Sequence, residues 1–342
     1  MGIKNCCVSN TNYESTKQII FTSETISQLE ENKLMQKNNN NINLYINIDK
    51  SNKEIIKANF ENIVKYYGDF IEGKKIEEIL EEINPLANKI SLPDYIEKHL
   101  EPNCMIYGPI KFNNGEIYKG SWNLNNQRHG YGINISPDNN IFKGLWKEDK
   151  VSDYGLFLDF EGNYYKGELK DGKSEGKGEM VVKDKSKYVG DFVNDYPNGY
   201  GILENYENGT KYKGEVLNGI KNGKGILEYE DGTIFDGYFK NDLYEGYGVI
   251  KFPNNRKYEG EFHEGKINGK GKFTWEDGRV YEGEYEDFMK KGFGKFYWNE
   301  NKYYEGQWLN NKQHGKGTLH YDGKEINGTF RFGKIIKENK IE

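Results

Sequence analysis

From residue 107 onward the chain repeats a five-position block: aromatic, polar, glycine, polar, bulky. The opening aromatic stands at Tyr118, Phe142, Tyr165, Tyr188, Tyr212, Phe235, Tyr258, Tyr281 and Tyr304, in steps of 23 residues except for 24 after Tyr118 and Tyr188. A glycine follows two positions on, as at Gly120, Gly214 and Gly306, then a second bulky residue such as Trp122, Trp146, Phe192, Phe239 or Trp308. A Gly-x-Gly pair comes next, for example Gly176/Gly178, Gly223/Gly225 or Gly315/Gly317. Side chains alternate at period 2 along a strand, so the rings and the glycine share one face. Lys119, Ser121, Lys166, Glu168, Glu259 and Glu261 share the other, which reads as wet. The glycine between two rings leaves a gap where a neighbouring unit's ring can lie. A second strand follows the same rule, with Gly271, Phe273 and Trp275 opposite Lys270, Lys272 and Thr274. Asn114-Gly115, Asn208-Gly209, Asp231-Gly232, Asp277-Gly278 and Asp322-Gly323 sit where two-residue hairpin turns would lead into the next unit. The pattern predicts one β-hairpin per unit, with consecutive units extending one sheet. The fold class is an all-β repeat array, an elongated and twisted single antiparallel sheet. With about twenty strands at ~4.8 Å spacing it would extend on the order of 95 Å.

Upstream the period changes. Ser51-x-x-Glu54 is a capping box, followed at helical spacing by Ile55, Ile56, Phe60, Ile63, Val64 and Tyr67. Ile76, Ile79, Leu80 and Ile83 form a second stripe, and a short third helix starts near Ser91 to Pro93 and includes Tyr95, Ile96 and Leu100. Such stripes mark small helices packing on each other or on the first sheet edge, in preference to a partner-docking or dimerisation helix. Of 41 glycines only Gly2, Gly68 and Gly73 precede residue 106, and all five Trp follow it. Together with the Asn38 to Asn41 tract, this divides the chain into a disordered N-terminal segment 1–50, a helical segment 51–105, the array 106–335 and a tail 336–342.

Charge and reactive side chains narrow the function classes. Forty-eight basic against 54 acidic residues leave a net charge of −6, which argues against nucleic-acid binding. Cys6, Cys7 and Cys104 make no disulfide framework, and five scattered histidines make no metal box. No apolar run reaches the ~18 residues of a membrane span. Gly219-Ile-Lys-Asn-Gly223-Lys224-Gly225 imitates a phosphate loop, but it has three residues between the glycines where four are needed, and glycine follows the lysine. His129 and His314 precede the glycine pair of their units, so repetition argues for structure over catalysis. The expectation is a chain with no catalytic residue, metal or cofactor.

Tyr281-Glu-Gly283-Glu-Tyr285 with Gly292-Phe-Gly294, and Tyr304-Glu-Gly306-Gln-Trp308 with Gly315-Lys-Gly317, resemble MORN repeats (membrane occupation and recognition nexus). The resemblance covers residues 107 to about 335 and recurs nine times. Departures are an extra loop residue before Gly130/Gly132, Asp153 in place of a glycine, and a tenth unit at Ile326-Asn-Gly328-Thr-Phe330 that lacks its aromatic opener. The array also begins on a half unit, Tyr107 to Gly115, and ends on a cap. The resemblance implies surfaces used for homodimer or protein-partner contacts. The aromatic face supplies the candidates: Trp122, Trp146, Tyr165, Tyr188, Tyr212, Tyr258, Tyr281 and Trp308.

Met1-Gly2-Ile3-Lys4-Asn5-Cys6-Cys7 suits N-myristoylation at Gly2 and S-palmitoylation at Cys6 and Cys7. Stable anchoring needs two such signals, because one myristoyl chain binds membranes only marginally. The expectation is therefore a non-catalytic scaffold or adaptor on the cytoplasmic face of a membrane, at a cilium or cell cortex, binding protein partners through the array. The alternative implied by the resemblance is a structural subunit of a cytoskeletal or ciliary axonemal assembly of radial-spoke type.

Overall fold

The computed structural model describes residues 68–71, 73–101 and 104–338, which fall into two units divided between Tyr196 and Pro197. Gly2, Cys6, Cys7 and the stripe from Ile55 to Tyr67 lie outside the described residues.

The first unit opens with strand β1 (Gly68–Phe70) and helices α1 (Ile76–Ile83), α2 (Leu86–Lys89) and α3 (Asp94–Glu97). Eight strands follow: β2 (Met105–Phe112), β3 (Ile117–Trp122), β4 (Arg128–Ile135), β5 (Ile141–Lys147), β6 (Lys150–Leu158), β7 (Tyr164–Lys170), β8 (Lys173–Val182) and β9 (Ser186–Val193). Each pairs antiparallel with the next. Within the stretch expected to be helical, Gly68–Phe70 instead pairs with β2, Gly68 opposite Phe112, and so covers the edge of the half unit.

The second unit carries β10 (Tyr196–Asn205), β11 (Thr210–Leu217), β12 (Ile220–Glu228), β13 (Ile234–Lys240), β14 (Leu243–Lys251), β15 (Lys257–His263) and β16 (Lys266–Thr274). It continues with β17 (Val280–Glu286), β18 (Met289–Asn299), β19 (Lys302–Leu309), β20 (Lys312–Tyr321), β21 (Lys324–Arg331) and β22 (Lys334–Glu338). The fold is an all-β repeat array of consecutive antiparallel hairpins with a few helices near its N-terminal end. At its C-terminal end Gly328 faces the side chain of Ile335, which stands where other units place a ring.

Two kinds of turn alternate, and the tight ones are not those the sequence suggested. Asn218-Gly219, Asn241-Asp242, Glu264-Gly265 and Asn310-Asn311, inside units, have positive φ at both residues, between 48° and 83°. That is the backbone of a two-residue turn matched to strand twist. Between units the loop is longer. The Tyr229 amide donates to the Thr233 carbonyl at 2.9 Å, leaving three residues of which Gly232 has φ +82°. Asp322-Gly323, with φ +49° and +75°, does form the two-residue turn expected of it. The two 24-residue steps each place the additional residue in a turn. One lies between β3 and β4, where Asn123 N–H donates to Gln127 O at 2.9 Å, and one between Asn205 and Thr210.

The tight turns also stitch units together. The Asp242 amide donates to Lys221 O at 2.9 Å while its carboxylate accepts the Lys221 amide at 2.9 Å. Asn311 does the same to Lys290, at 3.1 and 2.9 Å. Asp149 to Arg128 and Asp195 to Ser174 repeat the arrangement in the first unit.

The face opposite the rings is not uniformly wet. On β4 to β6 it carries Ile133, Ile135, Ile141, Leu156 and Leu158, and on these pack Ile76, Ile79, Leu80, Ala87, Leu92 and Ile96. The helices thus lie on the face of the sheet rather than at its edge. Lys143, buried under them, donates to Ala87 O at 3.0 Å and Ile90 O at 3.4 Å, and burial lowers its pKa.

Candidate functional site

The repeat builds two chemically distinct faces. On the inner one, opening rings lie over two glycines that face each other across paired strands, such as Gly283 and Gly294 beneath Tyr281. A Cβ on Gly294 would stand 2.6 Å from Tyr281 Cζ, and one on Gly237 2.6 Å from Phe235 Cζ. Both glycines exist to admit the ring. Its edges are closed by the second aromatic of its own unit and that of the next. Tyr281 meets Tyr285 at 5.1 Å and Trp308 at 5.2 Å, both near-perpendicular, and Phe235 meets Phe239 at 5.1 Å and Phe262 at 5.3 Å. Edge-to-face pairs of this kind add ~0.5–1.5 kcal/mol each beyond area burial.

The hydroxyl of the opener has its own task. Where the opener is Tyr, the pairing skips the residue three positions on, as between Gly214 and Val216 or Gly283 and Tyr285. That residue's carbonyl accepts the hydroxyl instead: Tyr118 to Ser121 at 3.1 Å, Tyr212 to Glu215 at 2.7 Å, Tyr281 to Glu284 at 3.0 Å and Tyr304 to Gln307 at 3.0 Å. Where the opener is Phe, the register shifts so that this residue is paired, Leu145 with Ser152 and Tyr238 with Glu245. A buried carbonyl without a partner is costly, so the bulge follows the hydroxyl. Tyr281→Phe is therefore expected to lower stability by about 1 kcal/mol, read as a fall in the urea midpoint at unchanged slope.

Beside the bulge, the first glycine of each pair takes a left-handed backbone, Gly223 at φ +101° and Gly269 at +100°. Asp153 adopts φ +58° at the same place, a conformation Asp tolerates, so this departure from the repeat keeps its geometry. The Glu215 and Glu261 carboxylates fold over these glycines and accept the amides of Lys224 at 3.1 Å and Lys270 at 3.2 Å.

The eight aromatics expected to meet a partner are all inside this packing. Trp122, Tyr258 and Tyr281 are fully buried, and Trp146, Tyr165, Tyr188, Tyr212 and Trp308 expose at most 8%. Trp146 and Trp308 also donate to Gly132 O at 3.4 Å and Gly294 O at 3.0 Å. Cations enter this layer as well. Lys290 Nζ lies 4.7 Å from Trp275, 5.0 Å from Tyr281, 4.8 Å from Phe296 and 5.2 Å from Trp308, and burial, helped by Arg279, pushes its pKa down to about 8. Arg128 takes a corresponding place, 4.1 Å over Trp146.

Exposed apolar side chains stand on the outer face. Ile226, Tyr238, Tyr247 and Phe293 are exposed there in the second unit. The signal was present in the sequence as apolar residues at positions that other units fill with Lys or Glu, and the repeat average conceals it. Burial pushes the Cys104 thiol up to about 11, so it is an inert side chain. Among the described residues no group of three or more His, Cys, Asp or Glu could hold a metal ion, and no helix is long and apolar enough to cross a membrane.

Seven segments of the chain match the MORN repeat: 118–141, 165–186, 188–209, 212–234, 235–255, 258–278 and 304–323. The units opening at Phe142 and Tyr281 fall outside these matches but keep the same pairing of glycines, Gly144 with Gly155 and Gly283 with Gly294. Alsin of Rattus norvegicus is 28% identical over 114 residues, which are 30% of this chain and 7% of that protein. Among solved structures, the TCP10 domain of Danio rerio CPAP, in complex with a peptide of Danio rerio STIL, is 12% identical over 62% of this chain and 95% of its own, with a TM-score of 0.38. The SAS-4 TCP domain of Drosophila melanogaster, in complex with a proline-rich motif of Ana2, is 14% identical over 52% and 85%, with a TM-score of 0.23.

Proposed function

We propose that this chain is a non-catalytic scaffold, held at the cytoplasmic face of a membrane by acyl chains on Gly2, Cys6 and Cys7, that presents the outer face of its MORN-repeat array to protein partners. The observation that carries the partner half is the division of labour between faces. The rings that dominate the repeat are spent on internal packing, whereas Ile226, Tyr238, Tyr247 and Phe293 remain exposed on the other side. Ile226, Tyr238 and Tyr247 stand on three consecutive strands, and exposed apolar side chains that neighbour one another mark interaction surfaces. The membrane half rests on the terminal residues, whose two kinds of acylation signal together meet the requirement for stable anchoring.

Fractionation tests the anchor. Most of the wild-type protein is expected with membranes, and Gly2→Ala or Cys6→Ser/Cys7→Ser should move most of it to the soluble fraction. A Gly2→Ala protein that pellets as well as wild type removes the anchor. Retention in a detergent-extracted cytoskeleton would replace it with a structural role in a cytoskeletal or axonemal assembly.

A further inference from the structure

Asparagine followed by glycine is a reactive step, because the unhindered glycine amide can attack the asparagine carboxamide and close a small ring. The chain holds seven such steps. Asn198-Gly199, Asn222-Gly223, Asn268-Gly269 and Asn327-Gly328 lie within β10, β12, β16 and β21, where a paired backbone cannot turn to bring the two groups together. Gly115 and Gly219 lie in turns, but their amides donate to Phe112 O and Pro197 O, both at 2.9 Å. Asn208-Gly209 is the exception.

Both residues are exposed in the loop between β10 and β11, and among the described residues the Gly209 amide has no backbone acceptor. The nucleophile is therefore free. The electrophile is prepared as well: Asn208 Oδ1 accepts the Thr210 amide at 3.1 Å and the Thr210 hydroxyl at 2.7 Å. Two donors on that oxygen polarise the carboxamide and meet the charge it gains when its carbon is attacked. Asn114 precedes its opener Tyr118 as Asn208 precedes Tyr212, but its Oδ1 accepts only the Glu116 amide, at 3.0 Å. The fold also fixes glycine at 209, where φ is +64° and a Cβ would stand 2.9 Å from Glu230 Cβ. The least hindered nucleophile is thus imposed.

We propose that Asn208 is a site of self-catalysed covalent modification, converting through a cyclic imide to aspartate and isoaspartate with Thr210 as the oxyanion donor. The Gly209 nitrogen gives up its proton and bonds to Asn208 Cγ. The Cγ–Nδ2 bond breaks, and Nδ2 takes up a proton and leaves as ammonia. Water then opens the imide: cleavage at Cγ gives aspartate, and cleavage at the main-chain carbonyl gives isoaspartate, whose backbone runs through the side chain. Either product adds a negative charge beside Glu207 and Glu230. The free α-carboxylate of isoaspartate is open to carboxyl methylation, the class of reaction that consumes this product.

The full-length protein, incubated in mildly alkaline buffer, tests the site. Peptide mapping by mass spectrometry and methylation by a purified isoaspartyl methyltransferase are the readouts. Asn208 should convert about tenfold faster than Asn114, and in urea the Asn-Gly steps should react at similar rates. Thr210→Ala should slow Asn208 several-fold, less than the loss of an oxyanion donor in a dry site, and Thr210→Ser should keep the wild-type rate. Three results overturn the proposal: an Asn208 no faster than Asn114, selectivity that survives unfolding, or a rate indifferent to Thr210→Ala.

Discussion

Gly294→Ala is expected to cost about 3–5 kcal/mol, enough to unfold the hairpins on either side of it. Its added methyl would occupy the place of the Tyr281 ring, 2.6 Å from Cζ. The backbone cannot retreat, because Gly294 pairs with Gly283 on one side and Gly306 on the other. The ring must then leave, and with it go the contacts to Tyr285 and Trp308. Gly278→Ala is the contrast. Nothing stands within 4 Å of its Cβ, and only the left-handed φ of +85° opposes the side chain, a cost of about 1 kcal/mol. Urea unfolding of the full chain measures both, and hydrogen exchange across β17 to β19 locates the damage. In a Tyr281→Ala background the alanine at 294 should lose most of its effect, since the two changes share one space. An equal cost in both backgrounds would refute the ring-over-glycine account.

Above pH 10 the protein should unfold cooperatively. Burial raises the phenols of Tyr118, Tyr165, Tyr258, Tyr281 and Tyr285, and pushes Tyr304 to about 12. An unfolded tyrosine ionises near pH 10. Between that value and the raised one, the native state holds more protons than the unfolded state, so stability is complete below pH 10 and falls as pH rises through this window. The losses from several such phenols add, and they are set against a typical domain stability of only ~5–15 kcal/mol. Tyrosinate absorbance should therefore appear in one step together with loss of the strand circular dichroism. Gradual ionisation near pH 10 with the strands intact would show that the rings are open to solvent. Lys290 works in the opposite direction. Its lowered pKa, about 8, makes the native state bind fewer protons between pH 8 and the ordinary lysine range, so its burial penalty is relieved there.

The inner face was legible in the sequence because one spacing rule generates it. Tyr-x-Gly-x-Trp followed by Gly-x-Gly specifies strand, gap and partner gap together, and each opener from Tyr118 to Tyr304 sits as that rule requires. The rule could not reveal that the rings use each other up. Whether an aromatic faces a neighbour or a partner depends on the offset between units, and Tyr281 reaches Trp308 across 27 positions of chain. The turns were half legible: Asp-Gly marks a turn at Asp231-Gly232, but the residue count between strands depends on the hydrogen bond from Tyr229 to Thr233, which sequence does not display. Gly68–Phe70 was hidden for a different reason, since three residues are too few to show a period. On the outer face, Ile133, Ile141 and Leu156 did break the Lys/Glu alternation. Reading them as a floor for helices required knowing that β4, β5 and β6 are adjacent.

The two long steps of the repeat bear on how such a gene can change length. In both, the supernumerary residue sits in a turn, and the glycine pairs on either side of it, Gly120 with Gly132 and Gly201 with Gly214, remain aligned. A codon gained at a hairpin tip is thus silent to the ladder, whereas one gained within a strand would carry every later ring to the wrong side. Heritable drift in length should accumulate at the tips, and the array itself can grow or shrink only by duplication or loss of whole modules.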